Sequence, residues 1–374
     1  MLSPTPLSLI CAVLLCLPLT VIFTINSPTA TKTTATISPS QITKPSKPLT
    51  DFNPISPPKS LPLDEDSLFR LAARVNSRPP RSARPKIAFL FLTTTPLPFS
   101  PLWELFFNKI PKTHFSIYVH ADPRFPYDPP FSGVFAHRVI PSKPAQRFTS
   151  TLISAARRLL AHALLGDKTN AMFALISPSC IPLHSFNFTY RTLARSKKSF
   201  IEVLDNEIGA YDRWAARGAD AMLPQVKLEE FRIGSQFWVL KRKHARMVVG
   251  DHRLWSKFKL PCERWYTCYP EENYFPTLLN MRDPGGLVPA TLTHVDWRGR
   301  FDGHPRTYNA SEVGPELIQS LRNYRPRYGD EEESGNDTVL TVRERRDPFL
   351  FARKFPPDAI GSLMSMASDV IFKD

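Results

Sequence analysis

The sequence contains no Gly-x-x-x-x-Gly-Lys-Ser/Thr loop, no Gly-x-Ser-x-Gly turn and no dinucleotide glycine fingerprint. These absences argue against a phosphate-loop nucleotidase, an elbow-serine hydrolase and a nicotinamide-dependent oxidoreductase. Its single Asp-x-Asp, Asp64-Glu65-Asp66, lies in or beside a low-complexity stretch and not at the end of a core strand, so no divalent cation is implied. Cysteine is scarce, with five in 374 residues, and no Cys/His spacing resembles a structural zinc site. Cys11 and Cys16 fall inside an apolar run, leaving Cys180, Cys262 and Cys268 for the folded part. Cys262 and Cys268 are close enough to bridge a short loop in an oxidising compartment with Cys180 as a buried thiol, but spacing alone does not decide the pairing.

Charge is also missing from the start of the chain, where no charged side chain precedes Lys32. Residues 7–25 form an almost unbroken apolar run of 19 residues, interrupted only by Ser, Thr and Pro18. A spanning helix needs about 20 such residues and the apolar part of a signal peptide about 7 to 15, so a membrane anchor is expected, with residues 1–6 cytosolic. A cleaved signal peptide is the alternative, because Ser27-Pro28-Thr29-Ala30 offers small residues near a cleavage point. Lys and Arg follow the run and do not precede it, which read naively places the bulk of the chain in the cytosol. Three sequons, at Asn187, Asn309 and Asn336, argue instead for a lumen. Residues 26–85, rich in Thr, Ser, Pro and Lys, read as a disordered stem. Residues 86–374 are then the luminal head.

Within the head, apolar runs of strand length at 86–93, 115–120 and 171–176 alternate with helix patterns near 101–107 and 150–165. This alternation predicts an α/β fold with a mostly parallel sheet covered by helices. Ligands in such folds bind beyond the carboxyl ends of the strands, so residues 93–95, 120–122 and 177–180 are expected to share one rim. Pro270 suits a first helical position and leaves Glu271 and Glu272 in the first turn. Acids favour that position simply by complementing the helix dipole, and taken alone the segment calls for no other explanation.

Other groups could carry chemistry, each with an ordinary reading beside it. Asp122 ends a strand and could accept from a ribose hydroxyl or a base, or could simply stabilise its own turn. Ser235 and Gln236 sit beside Trp238 and suit a sugar acceptor, although they also read as the lead into a strand. Trp297 could stack on a pyranose, or belong to the core. Arg343, Arg345, Arg346 and Lys354 could clamp a pyrophosphate, or form a solvated basic surface. The net charge of +14 suits anionic ligands. Anchor and sequons make a nucleic-acid partner improbable.

Taken in order, the blocks Ala88-Phe89-Leu90-Phe91-Leu92-Thr93, Val119-His120-Ala121-Asp122, Leu175 to Leu183, Gly234-Ser235-Gln236-Phe237, Tyr269-Pro270-Glu271-Glu272 and Leu350 to Phe355 resemble the core 2/I-branching β-1,6-N-acetylglucosaminyltransferase family, in its plant form. That resemblance implies a single-pass type II Golgi membrane protein with a GT-A-like nucleotide-sugar transferase fold. It implies inverting transfer of a GlcNAc-type sugar from a UDP-sugar to a glycan or glycoprotein hydroxyl, with no metal or other cofactor. By the same resemblance Glu272 matches the family's base, Asp122 a nucleotide contact, Lys354 with an upstream Arg, here Arg346, the diphosphate contacts, and Trp297 an acceptor contact. Asn273 replaces a His usual in the family, a departure that bears on donor and acceptor identity. The competing expectation is a catalytically silent Golgi glycan-binding or scaffolding protein on the same fold.

Overall fold

The computed structural model describes residues 64–128, 130–300, 304–330 and 347–374. The apolar run at 7–25, residues 26–63 of the stem, Arg346 and the sequon at Asn336 lie outside the described residues. Among the described residues no helix is long and apolar enough to cross a membrane.

Strands β1 (Lys86–Thr93), β2 (Phe115–Ala121) and β3 (Asn170–Ile176) fall where the apolar runs predict them. Short strands follow: β4 (Ile181–Pro182), β5 (Ser199–Phe200), β6 (Val239–Lys241), β7 (Leu287–Val288), β8 (Thr293–Val295) and β9 (Phe351–Arg353). The main sheet has the order β2-β1-β3-β6-β5-β7. All neighbouring pairs are parallel except those of β6, which runs against both β3 and β5. A smaller sheet, β4-β9-β8, packs beside it.

β1 is buried at every position after Lys86 because both of its faces are covered. Alternation divides it: Ala88, Leu90 and Leu92 join one core, while Ile87, Phe89 and Phe91 join the other. The first core is roofed by helices α1 (Glu65–Arg74), α3 (Ser150–Gly166), α4 (Arg242–Val249) and α5 (Pro270–Arg282). The second holds α2 (Ser100–Phe107), where Trp103, Phe106 and Phe107 surround Phe89, together with the small sheet.

Helix α1 corrects the expectation of a disordered stem reaching residue 85. Asp64 caps it by accepting from Ser67 N at 2.7 Å, so the Asp-x-Asp is a helix start. Leu68, Phe69 and Ala72 occupy one face at helical spacing and are buried against α3 and α4. Averaged over a long polar stretch, those three residues vanish; as one face of a helix they fill a core. The Phe69 ring also covers the guanidinium of buried Arg157, 4.6 Å away, which Trp255 covers at 4.7 Å.

A serine, a histidine and an aspartate form a relay with the residue types of a hydrolytic triad. Ser199 Oγ lies 2.6 Å from His244 Nδ1, and His244 Nε2 lies 2.9 Å from Asp283 Oδ2. Ser199 is completely buried and its Oγ also accepts from Lys241 N, so the relay ties β5 and β6 to α4 and has no access to substrate.

Phe69→Ala is expected to lower stability by roughly 3–5 kcal/mol in urea unfolding followed by circular dichroism. A change below about 1 kcal/mol would return α1 to the stem.

Candidate active site

The carboxyl ends of the parallel strands do meet at one rim. A cleft of about 580 Å³ opens there, bordered by Thr94 and Thr95 after β1, Arg124 after β2, Ser177 and Ser179 after β3, Gln236 before β6, and Arg353 of β9. That volume suits a small organic ligand. Among the described residues three guanidiniums, those of Arg124, Arg147 and Arg353, line it, and no carboxylate does.

Asp122 is fully buried just beyond β2, with both oxygens engaged inside the protein. Oδ1 accepts from Arg124 N and Nε at 2.9 and 3.1 Å, and Oδ2 from Arg124 Nη2 and Ala145 N at 2.8 and 2.7 Å. Burial opposes its charge, but the Arg124 guanidinium and the two amides prevail and hold it at about 2. Asp122 therefore bears on the cleft through Arg124, which it fixes in place.

Arg147 and Arg353 are different, because neither pairs with a carboxylate among the described residues. Arg147 lies over the Phe148 ring at 5.1 Å and 3.3 Å from His304 Nδ1. Arg353 lies over the Phe237 ring at 4.6 Å, and its Nε has no hydrogen-bond partner among the described residues. Arg353 is the last residue of β9, and the cleft lining includes it and not Lys354.

The two glutamates of α5 prove unequal. Glu272 is half-buried, with Arg213 Nη1 3.0 Å from its Oε2. The Arg213 guanidinium is itself held over the Tyr269 ring at 4.5 Å. Burial raises the Glu272 carboxyl above its ordinary range, against the pull of Arg213 and of the cleft residues Arg147 and Arg353. Base candidate and cleft thus share one electrostatic field. Glu271, read from the sequence as an ordinary helix-start acid, is 2% exposed. Its Oε1 accepts from Phe148 N at 3.4 Å, its Oε2 has no partner among the described residues, and burial pushes it up to about 7.

Gly234 explains part of the Gly-Ser-Gln block. Its N–H donates to Glu272 O at 2.9 Å, and a Cβ there would lie 2.1 Å from Glu202 O, so only glycine lets this segment pass. Ser235 Oγ accepts from Phe237 N in a local turn, and Gln236 reaches the cleft. Asn273 is buried and donates to Arg232 O at 3.3 Å.

Trp297 is 49% exposed, on the loop whose His304 meets Arg147 and Phe148. Asn187 and Asn309 are both exposed. Cys262 and Cys268 form a disulfide, and Cys180 is a buried thiol. Sequence reasoning passed over Arg124, Arg147, Arg213 and Arg353. Arg353 lay inside a motif already marked, whereas Arg213 carried no signal at all.

A mostly parallel α/β sheet with a cation-lined cleft at its carboxyl rim is consistent with a GT-A-like fold. The family model for core-2/I-branching enzymes matches residues 87–322. The chain is also 33% identical over 309 residues to Glycosyltransferase BC10 of Oryza sativa subsp. japonica, covering 74% of this chain and 75% of the rice protein. It belongs to the core-2/I-branching enzyme family, and it is a glycosyltransferase.

Glu271 yields a stability prediction. Its folded value of about 7 exceeds the ordinary 4.5, so the folded state takes up a proton, and stability falls as pH rises from 4.5 through 7. Glu271→Gln should stabilise the protein by up to about 3 kcal/mol at pH 8 and far less at pH 5, measured by urea unfolding at both values. An equal effect at the two pH values would contradict the assignment.

Proposed function

We propose that the protein is an inverting transferase that moves a GlcNAc-type sugar from a UDP-sugar to a glycan or glycoprotein hydroxyl, with Glu272 as base. The observation that carries this reading is Glu272 itself, held by Arg213 at the start of α5 in the field of two cleft guanidiniums that have no carboxylate partner among the described residues. Glu272 takes the proton from the acceptor hydroxyl as its oxygen bonds to the anomeric carbon from the face opposite the diphosphate. The electrons of the breaking C–O bond leave with UDP. Arg147 and Arg353, joined by Lys354 and Arg346 in the family pattern, stabilise the charge that develops on the leaving phosphate. Because these cations supply the positive charge, the proposed reaction uses no metal. Arg124, fixed by Asp122, stands where it can meet the nucleotide, and Trp297 offers a face to the acceptor.

The proposed setting is the Golgi lumen, with residues 7–25 as the single-pass anchor of a type II protein. The Cys262–Cys268 disulfide and the exposed Asn187 and Asn309 support it, since disulfides and N-glycans belong to secretory compartments.

Glu272→Gln should lower transfer from a UDP-sugar by about 10²- to 10⁴-fold while leaving UDP affinity nearly unchanged. If neither the wild-type protein nor the variant turns over a UDP-sugar or binds UDP, the silent-scaffold reading takes over. Wild-type activity should decline as pH falls through the raised value of Glu272, the protonated base being inert. Arg213→Gln removes a cation that opposes that rise, so its acidic limb should move to higher pH in a kcat/KM profile; a limb that stays in place or moves down argues against Glu272 as base.

A further inference from the structure

The turn that carries Arg147 into the cleft is held at each end by a buried carboxyl group. Ala145, Gln146 and Arg147 all line the cleft. At one end Ala145 N donates to Asp122 Oδ2 at 2.7 Å, and at the other Phe148 N donates to Glu271 Oε1 at 3.4 Å. Between them the turn is tied to the start of α3, where Gln146 N donates to Thr151 Oγ1 at 2.9 Å and Thr149 Oγ1 donates to Gln146 O at 2.8 Å.

Phe148 is the strained link. Its φ of 63° lies in the left-handed region, which a bulky side chain keeps only where its surroundings impose it. Glu271 accepts from its N–H, the Tyr269 ring meets its ring edge to face at 5.2 Å, and the His304 ring lies 6.0 Å away. The Tyr269 ring carries the Arg213 guanidinium and the Phe148 ring carries that of Arg147. Two rings in contact thus stand between the cation that holds Glu272 and a cation of the cleft. Glu271 occupies its place at a cost, since its Oε2 is buried without a partner among the described residues, even with the buried cation Arg217 nearby. An acid that served the helix dipole alone would do so equally well in solvent. What its burial adds is the contact with Phe148 N.

We propose that Glu271 is a positioning residue: by accepting from Phe148 N it fixes the turn that presents Arg147 to the diphosphate of UDP. The proposal rests on the reading of Arg147 as a contact of the leaving diphosphate. Glu271 and Glu272 are neighbours in one helical turn, so the base and a cation for the leaving group take their places from the same piece of backbone. An in-line displacement needs that registry, since a misplacement of about 1 Å lowers the rate by about 100-fold. The Arg147 guanidinium already acts on both carboxyls, opposing the upward push of burial on each.

The test measures UDP dissociation constants by titration calorimetry for the full-length protein and its variants. Glu271→Met removes the acceptor and keeps the side-chain volume, with Glu271→Ala as a second variant should the methionine fail to fold. Glu271→Gln keeps an acceptor oxygen and loses only the charge. Arg147→Ala should weaken UDP binding at least about tenfold and Glu271→Met at least about fivefold, while Glu271→Gln stays within about twofold of wild type. Added to Arg147→Ala, Glu271→Met should weaken binding no further, because the turn then has no guanidinium to present; general structural damage would add in full. Four outcomes overturn the proposal: Glu271→Met that binds UDP like wild type, Glu271→Gln as weak as Glu271→Met, losses that add in the double variant, or failure of both Glu271→Met and Glu271→Ala to fold. Arg147→Ala that binds UDP like wild type would instead remove the diphosphate reading of Arg147, and the proposal with it, so the two failures are told apart.

Discussion

Burial of β1 on both faces is the constraint from which the site follows. A strand buried on both faces can be flanked by parallel neighbours only if helices cover the sheet above and below, and α1, α3, α4 and α5 on one side and α2 with the small sheet on the other do so. With β1, β2 and β3 parallel, the chain leaves all three at the same edge. Polar and cationic residues that could not enter the interior gather at that edge, and the cleft is the space between them.

The start of α5 shows how one local pattern yields two chemical environments. Glu271 and Glu272 differ by one position, about 100° around a helix. That rotation turns one carboxyl into the protein against Phe148 N and leaves the other beside Arg213 with partial access to solvent. Gly234, hydrogen-bonded to Glu272 O and pressed against Glu202 O, brings a second segment up to the same helical turn. Glu272, paired with Arg213 and partly open to solvent, is the carboxylate on which the proposed chemistry rests.

The long buried strands and α3 and α5 were legible because their apolar spacing and their Pro and Gly boundaries are local signals. Helix α1 was not, since its three core residues are diluted in a polar stretch and matter only through the partners they meet. Within the site, Asp122 was legible as a residue but not in its geometry: the sequence places it at a strand end, while the fold closes Arg124 and the amide of Ala145 upon it. Arg353 was hidden behind Lys354, because which of two adjacent cations faces a cleft depends on how β9 lies against β4 and β8.

Sequence alone determined the alternation of strands and helices, the rim on which ligand chemistry must fall, and the family motif containing the two glutamates. Each of these depends on order and spacing along the chain. Tertiary structure decided which carboxylate is buried and which is held by Arg213, that Arg124 and the Ala145 amide close upon Asp122, and that Cys262 pairs with Cys268. Burial, ion pairing and field strength depend on distances between residues far apart in the chain, and those distances exist only once the layers have packed.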